Sequence, residues 1–327
     1  MSKSSITKVA ISNDDIINMV KKAFGEDTTI NKITEIKQGF FNLAYCLTIQ
    51  GNHKIVLKVS PPKHVKVMRY EKDIMENEIE VLNKINSTID IPVAKVLNYD
   101  CDKDIIENEY FFMDFIQGTP LDNVYDEFNE KQRNSISSDL GKYVKQITSI
   151  KSDFFGDITK KEKQFSTWSE AFLFMIKELL DDARDIRLKL PYEYNAIYHL
   201  IERYSGILDK VEKASLVHKD LWKGNIFVDP QNPQITAILD FERAIYGDAL
   251  LEPVCGSLLH DTAFMNSFIG RTYLEDDEKI RAVIYSVYTF LIMVLECSFR
   301  QYPWENSDKW ARKQLTDALE ELMNYTV

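Results

Sequence analysis

Cysteine is scarce in this chain and poorly placed for chemistry: Cys46, Cys101, Cys255 and Cys297 are spread over 327 positions with no C-x-x-C pair. That spacing offers neither a zinc site nor a disulfide framework, so the thiols are expected to be reduced and mostly buried. Positive charge is also in deficit. With 40 Lys and Arg against 51 Asp and Glu, the net charge of −11 excludes the basic stripe of a nucleic-acid surface and permits a cationic ligand. Long hydrophobic runs are missing too. The best candidate, residues 283–298, falls short of the ~20 apolar residues of a membrane span and is interrupted by Glu296. Residues 1–12 are polar and lack the apolar core of a secretion signal. A cytoplasmic protein without a membrane segment is expected.

What the chain does have is enough length and apolar content for two lobes. Single cores rarely keep growing past ~250 to 300 residues, and 327 residues with 45% apolar and 28% charged content match an ordinary globular composition. Asn13 reads as the cap of a helix over 14–24, where Ile16, Ile17, Val20 and Phe24 recur at helical spacing before Gly25. The pattern then turns strand-like over 30–36, 43–49 and 54–59, separated by the turns Gly39-Phe40-Phe41-Asn42 and Gly51-Asn52. After a helix over 75–85, residues 93–99 and 110–115 supply two more strands, which makes an antiparallel sheet of five. Beyond it the periodicity is helical: a segment capped by Asn129 and running to 150, another from Thr167 to 188, a third over 192–211, and later 276–300 and 307–324. Residues 152–166 read as a surface connection. The fold class is therefore α+β, with a small N-terminal lobe over 1–116 and a larger, mainly helical lobe over 117–327.

The chemistry concentrates in residues 216–253, LVHKDLWKGNIFVDPQNPQITAILDFERAIYGDALLEP. His218, Asp220 and Asn225 have the H-x-D-x-x-x-x-N spacing of a phosphoryl-transfer catalytic loop, and Asp240-Phe241 follows at the end of an apolar run. Phosphoryl transfer needs oxygen ligands for Mg²⁺ and one carboxylate facing the incoming hydroxyl, because the migrating group is densely charged. Asp220 is cast as the group that orients and deprotonates the acceptor, with Asn225 and Asp240 as metal ligands. Asp and Asn also cap loops with no further role. The ordered set favours the site. His218 reads as a structural residue that bonds backbone near Asp240. Lys58, flanked by apolar strand residues in Ile55-Val56-Leu57-Lys58, needs a partner if it points inward.

The segments His218-Lys219-Asp220-Leu221-Trp222-Lys223-Gly224-Asn225-Ile226 and Ile238-Leu239-Asp240-Phe241-Glu242-Arg243-Ala244, followed by Gly247-Asp248, closely resemble the aminoglycoside phosphotransferase and choline kinase superfamily. The resemblance extends more weakly over 33–253. It implies a bilobal, protein-kinase-like fold and the use of ATP or GTP with Mg²⁺. It further implies a short nucleotide loop in which amides near Gly39 and the side chain of Asn42 meet the phosphates. By the same resemblance Lys58 contacts the α- and β-phosphates, with Glu78 as its anchor and Glu76 and Glu80 as rivals. Residues 110–121 resemble the family's hinge, placing the carbonyl of Asp114 and the amide of Ile116 at the base. Asp248 is expected to brace the loop.

The sequence departs from protein kinases in two ways. Glu242 replaces the glycine of D-F-G, and residues 244–253 are too short for a phosphorylatable activation loop. Both departures suit a small acceptor. Residues 241–327 hold an excess of acidic side chains, so Asp261, Glu275, Asp276 and Asp277 are candidates for attracting an amino-bearing substrate, although a run such as 275–278 also suits a helix N-terminus. Tyr273, Trp304 and Trp310 are aromatic alternatives. The leading expectation is an aminoglycoside or aminocyclitol O-kinase. Macrolides, choline-like alcohols and sugars stay open, as does a nucleotide-binding regulatory module without turnover. The oligomeric state is left open.

Overall fold

The computed structural model describes residues 11–37, 41–300 and 305–325. They group into two compact units, one holding the described residues up to Lys66 together with Val93–Gln117, the other Val67–Pro92 with the chain from Gly118 onward.

In the first unit helix α1 (Asn13–Phe24) is capped by Ser12, whose hydroxyl accepts from the Asp15 amide at 3.1 Å. The cap lies one residue before the expected Asn13, because Ser12 holds extended backbone angles and Asn13 is already helical. Gly25 ends the helix at φ 103°, a conformation only glycine adopts without strain. Strands β1 (Ile30–Ile36), β2 (Leu43–Ile49), β3 (His53–Val59), β4 (Val96–Asp100) and β5 (Tyr110–Asp114) form one antiparallel sheet in the order β1-β2-β3-β5-β4. Its core joins Ile16, Met19 and Val20 of α1 to Leu47, Leu57, Val59 and Phe112. Side chains alternate along a strand. Lys58 therefore lies on the face opposite Leu57 and Val59, yet β3 is paired on both sides and the lysine is buried.

In the second unit α2 (Ile74–Thr88) is held by Asn77, whose amide donates to the carbonyls of Glu242 at 2.9 Å and Ala244 at 2.8 Å. Those two bonds fasten α2 to the backbone on either side of Arg243, within the unit that holds the C-terminal chain. Next come β6 (Thr119–Pro120), α3 (Leu121–Val124) and α4 (Glu130–Ser149), the last opened by a reciprocal cap between Asn129 and Gln132. Residues 152–166, expected as a plain connection, carry parts of β7 (Lys151–Ser152), β8 (Phe155–Gly156) and β9 (Gln164–Phe165). Strands of two residues leave no periodicity to read. With β10 (Ala214–Val217) and β13 (Ile245–Gly247) they build a sheet in the order β7-β10-β13-β8-β9.

Helix α5 (Trp168–Asp185) follows its Thr167 cap. The single helix expected over 192–211 is two, α6 (Tyr194–Glu202) and α7 (Ser205–Leu208). The break falls at Tyr204, a wholly buried residue whose hydroxyl donates to the carbonyls of Leu322 and Tyr325 at 2.6 and 3.0 Å. Strand β11 (Ile226–Val228) pairs with β12 (Ile235–Ile238) on one side and β6 on the other, and α8 (Leu251–Cys255), α9 (Thr262–Ile269), α10 (Asp276–Phe299) and α11 (Glu305–Asn324) complete the unit.

By length and composition α10 could cross a membrane, contrary to the expectation that no segment would reach that threshold. Yet 61% of its apolar window is buried inside the protein. Its Tyr285 hydroxyl accepts from Trp168 Nε1 at 2.7 Å and donates to Asp248 Oδ2 at 2.7 Å, so the helix carries a buried polar relay typical of a core element. Trp168→Phe leaves that phenol one donor short and opens a small void. We expect a loss of about 2–3 kcal/mol in urea unfolding, whereas an unchanged midpoint would show that the relay contributes nothing to stability.

Candidate functional site

The site is built where β10 hands the chain to the β11–β12 hairpin. At the end of β10, His218 is completely buried, and its backbone amide donates to Glu252 Oε2 at 2.6 Å. Its ring lies 2.8 Å from the Leu239 carbonyl through Nε2 and receives the Asp220 amide on Nδ1 at 3.2 Å. Nε2 must therefore carry the proton while Nδ1 accepts, a neutral ring. Burial agrees, pushing the imidazole below its ordinary range. One ring thus joins the residue before Asp240 to the backbone of Asp220.

Asn225 closes the loop from the other side. Its Nδ2 donates to the Asp220 carbonyl at 2.9 Å and approaches Asp220 Oδ2 at 3.4 Å, which leaves the amide oxygen as the acceptor end for a cation. The Leu239 amide bonds the Asn225 carbonyl at 2.9 Å, so the residues flanking Asn225 and Asp240 are stitched together. Two non-glycine residues in the stretch, Lys219 (φ 67°) and Asp240 (φ 65°), hold left-handed backbone. Such conformations cost about 1 kcal/mol or more each and persist where neighbouring structure enforces them.

Carboxylate oxygens of Glu78, Asp240 and Glu242 lie within 4.8 Å of one another. Three acids so close repel one another unless positive charge stands among them, and hard oxygen donors are the set Mg²⁺ prefers. Glu242, at the position of the missing D-F-G glycine, is a member the sequence reading passed over. Glu78 comes from α2 and is 1% exposed.

Behind Asp220 lies a buried ionic network. Arg243 Nη1 stands 3.9 Å from Asp220 Oδ1, and the same guanidinium bonds Glu296 and lies 3.8 Å from Glu71. Arg300 pairs with Glu71 and sits 3.6 Å from Glu296. Burial lifts the Asp220 carboxyl to about 6 despite the opposing pull of Arg243. Burial acts the same way on Glu296, but Arg243 and Arg300 outweigh it and hold that acid below its usual range. No local signal in the sequence ties Glu71, Glu296 and Arg300 to the loop. Only the fold brings them there.

Of the other residues singled out by sequence, Gly39 and Trp304 lie outside the described residues. Asn42 and Lys58 are buried in the first unit, the lysine ammonium 5.9 Å from the centre of the Phe111 ring. Asp114 ends β5, with its amide bonded to the Lys95 carbonyl at 3.0 Å, and Ile116 follows it half-buried. Asp248 accepts from the Leu250 amide at 3.0 Å, Arg281 at 2.8 Å and Tyr285 at 2.7 Å.

The acidic residues near the C-terminus are already committed. Asp261 caps α9 and accepts from Ser137; Glu275 caps α10; Asp276 pairs with Lys279, Asp277 with Lys210 and Glu278 with Arg271. They stand at helix starts and in ion pairs.

A sequence profile of the family described as "Phosphotransferase enzyme family" matches residues 32–276. Among curated proteins, mouse acyl-CoA dehydrogenase family member 11 is 23% identical over 248 residues, covering 72% of this chain. The chain spans only 29% of that protein's length. Among solved structures, a protein assigned as a fructosamine-3-kinase from Thermobifida fusca superposes with a TM-score of 0.71 at 14% identity, over 96% of this chain and 100% of its own. The streptomycin-ATP-APH(2")-IIa ternary complex gives 0.62 at 16% identity, over 97% and 98%. At these identities the superpositions establish the fold.

The elevated Asp220 carboxyl has a thermodynamic signature. A folded-state value above the unfolded one means that ionising Asp220 opposes folding, so its contribution is neutral below about pH 4 and unfavourable above about pH 6. Asp220→Asn is expected to leave stability unchanged at pH 4 and to raise it by up to about 3 kcal/mol at pH 8. Urea titrations at the two pH values check this, and a gain of equal size at both would contradict the burial account.

Proposed function

Because the chain belongs to the phosphotransferase enzyme family, its described site within residues 32–276, we propose that it moves the γ-phosphate of ATP or GTP to a hydroxyl of a small molecule. The observation that carries the reading is the junction at Asp220, where Asn225 bonds the backbone carbonyl and approaches the carboxylate at 3.4 Å while the buried His218 ties the loop through Leu239 to the acid cluster at Asp240. Asp220 takes the proton of the acceptor hydroxyl as its oxygen attacks phosphorus. An acid held near pH 6 is ionised at neutral pH and is a better base than an ordinary aspartate. Arg243 keeps that carboxylate from being neutralised by burial.

Asn225 and Asp240 fit Mg²⁺ by their donor types, with Glu242 beside them. The ion, when bound, neutralises charge on the donor's phosphates. We assign the α- and β-phosphates to Lys58, the phosphate loop to Gly39 and Asn42, and the base to the backbone of Asp114 and Ile116. Asp248 and His218 stiffen the loop. An ATP- or GTP-driven reaction and four free cysteines fit a cytoplasmic setting.

An aminoglycoside or aminocyclitol is the first acceptor class to assay, since one structural neighbour holds streptomycin with ATP. A sugar derivative is the second, since another is assigned as a fructosamine-3-kinase. An anionic acceptor is a further reading, favoured by Lys219 and taken up below. Coupled ADP release, screened across these classes with both nucleotides, tests the reaction itself. Release that depends on an acceptor is expected, whereas nucleotide binding without release for any class would leave a regulatory module. Asp220→Ala should lower kcat by about 10²- to 10⁴-fold with nucleotide affinity retained, and unchanged turnover would remove it from the mechanism. Lys58→Ala should chiefly raise KM for the nucleotide; if KM and turnover both stay at wild-type values, the phosphate assignment is wrong.

A further inference from the structure

Beneath the catalytic loop, inside the second unit, lies a partly open pocket with about 40 Å³ of enclosed space, room for the charged end of a ligand whose remainder extends through the opening. Part of its wall is apolar, formed by Phe165, Phe174 and Leu179. Another part is formed by Lys219, Arg243, Tyr70 and Tyr288.

Lys219 is the unusual member. It is 8% exposed, and its ammonium sits 5.4 and 5.6 Å from the centres of the Tyr70 and Tyr288 rings, both in the cavity wall. Among the described residues its hydrogen-bond partner is the Tyr288 hydroxyl at 3.1 Å, and no carboxylate lies within ion-pairing distance. The other charges in the wall are accounted for. Lys163 pairs with Glu178 at 2.6 Å, Asp157 accepts the Thr159 and Lys160 amides, and Glu242 belongs to the acid cluster.

A buried ammonium held only by phenol groups is costly, and Lys219 adds left-handed backbone at φ 67° to that cost. Neither expense is explained by folding, since a glycine would meet the backbone requirement more cheaply. Two more polar atoms of the wall residues, Arg243 Nε and Asn77 Oδ1, are buried without a hydrogen-bond partner. In a native protein such atoms call for a missing water or ligand.

We propose that this cavity receives an organic oxyanion, a carboxylate or phosphate ester on an apolar body, whose charge Lys219 neutralises, and that this ligand is the acceptor. Arg243 links the cavity to the reaction, because it lines the wall and stands 3.9 Å from Asp220. The oxyanion binds at one end of the molecule while its hydroxyl is presented to Asp220. The acceptor assignment rests on the phosphotransfer reading above; the anion site does not.

Isothermal titration of the full chain with benzoate and with inorganic phosphate tests the site without turnover. Wild type and Lys219→Arg should bind at least one probe, and Lys219→Met should bind about tenfold or more weakly, with thermal melts confirming that each variant is folded. Equal binding by Lys219→Met, or no binding of either probe by wild type, overturns the site. Coupled ADP release with hydroxy acids and phosphorylated alcohols then tests the acceptor. Lys219→Met should raise KM for these while kcat is largely kept. Turnover restricted to neutral or cationic acceptors, with an intact anion site, overturns the acceptor assignment. Intact probe binding without ADP release for any compound counts against the phosphotransfer reading and leaves the anion site standing.

Discussion

The interaction on which the site depends is the one between Arg243 and Asp220. The proton-accepting role proposed for Asp220 requires an ionised carboxylate, and one enclosed by protein resists ionisation. The guanidinium 3.9 Å away offsets part of that penalty, and Glu296 and Glu71 hold it in turn. Because each charge in the network is matched by others at short range, several ions can be buried where any one alone would be prohibitive. The balance leaves Asp220 near the middle of the pH range useful to a general base. A stronger cation contact would make it a weaker base, and loss of the contact would raise its pKa further.

This network also ties the site to its scaffold. Glu71 precedes α2, Glu296 and Arg300 stand at the end of α10, and Asn77 of α2 clasps the backbone on either side of Arg243. The Arg69 amide bonds Asp182 of α5 at 2.9 Å, and its guanidinium pairs with Asp182 and Asp185, so this arginine ahead of α2 is committed to structure. Side chains from three distant stretches therefore position one loop. Rigidity of that kind is what a reaction governed by placement and charge requires.

Much of this was legible in the sequence where the signal was local. The edges of β1 and β2, the caps at Asn129 and Thr167, and the antiparallel five-stranded sheet follow from alternation, capping chemistry and turn residues. The loop residues His218, Asp220, Asn225 and Asp240 stand out by spacing and are found in one connected unit. What escaped had no local signature. The two-residue strands within 151–165 are too short to alternate, and the partners of Arg243 lie up to 172 positions away in a sequence that gives no hint of their meeting. Of the acidic candidates after residue 241, Asp261 and Glu275 stand at helix starts and Asp276 and Asp277 in surface ion pairs, placements that spacing alone did not distinguish from a binding role.

The most direct test of the account is the ionisation of Asp220 itself, followed by ¹³C NMR of the selectively labelled carboxyl in the ligand-free protein and in Arg243→Met. The account predicts a midpoint near 6 in the wild type and a higher one when the guanidinium is removed. A midpoint at the ordinary aspartate value of about 4 in both proteins would show that neither burial nor Arg243 governs this carboxylate.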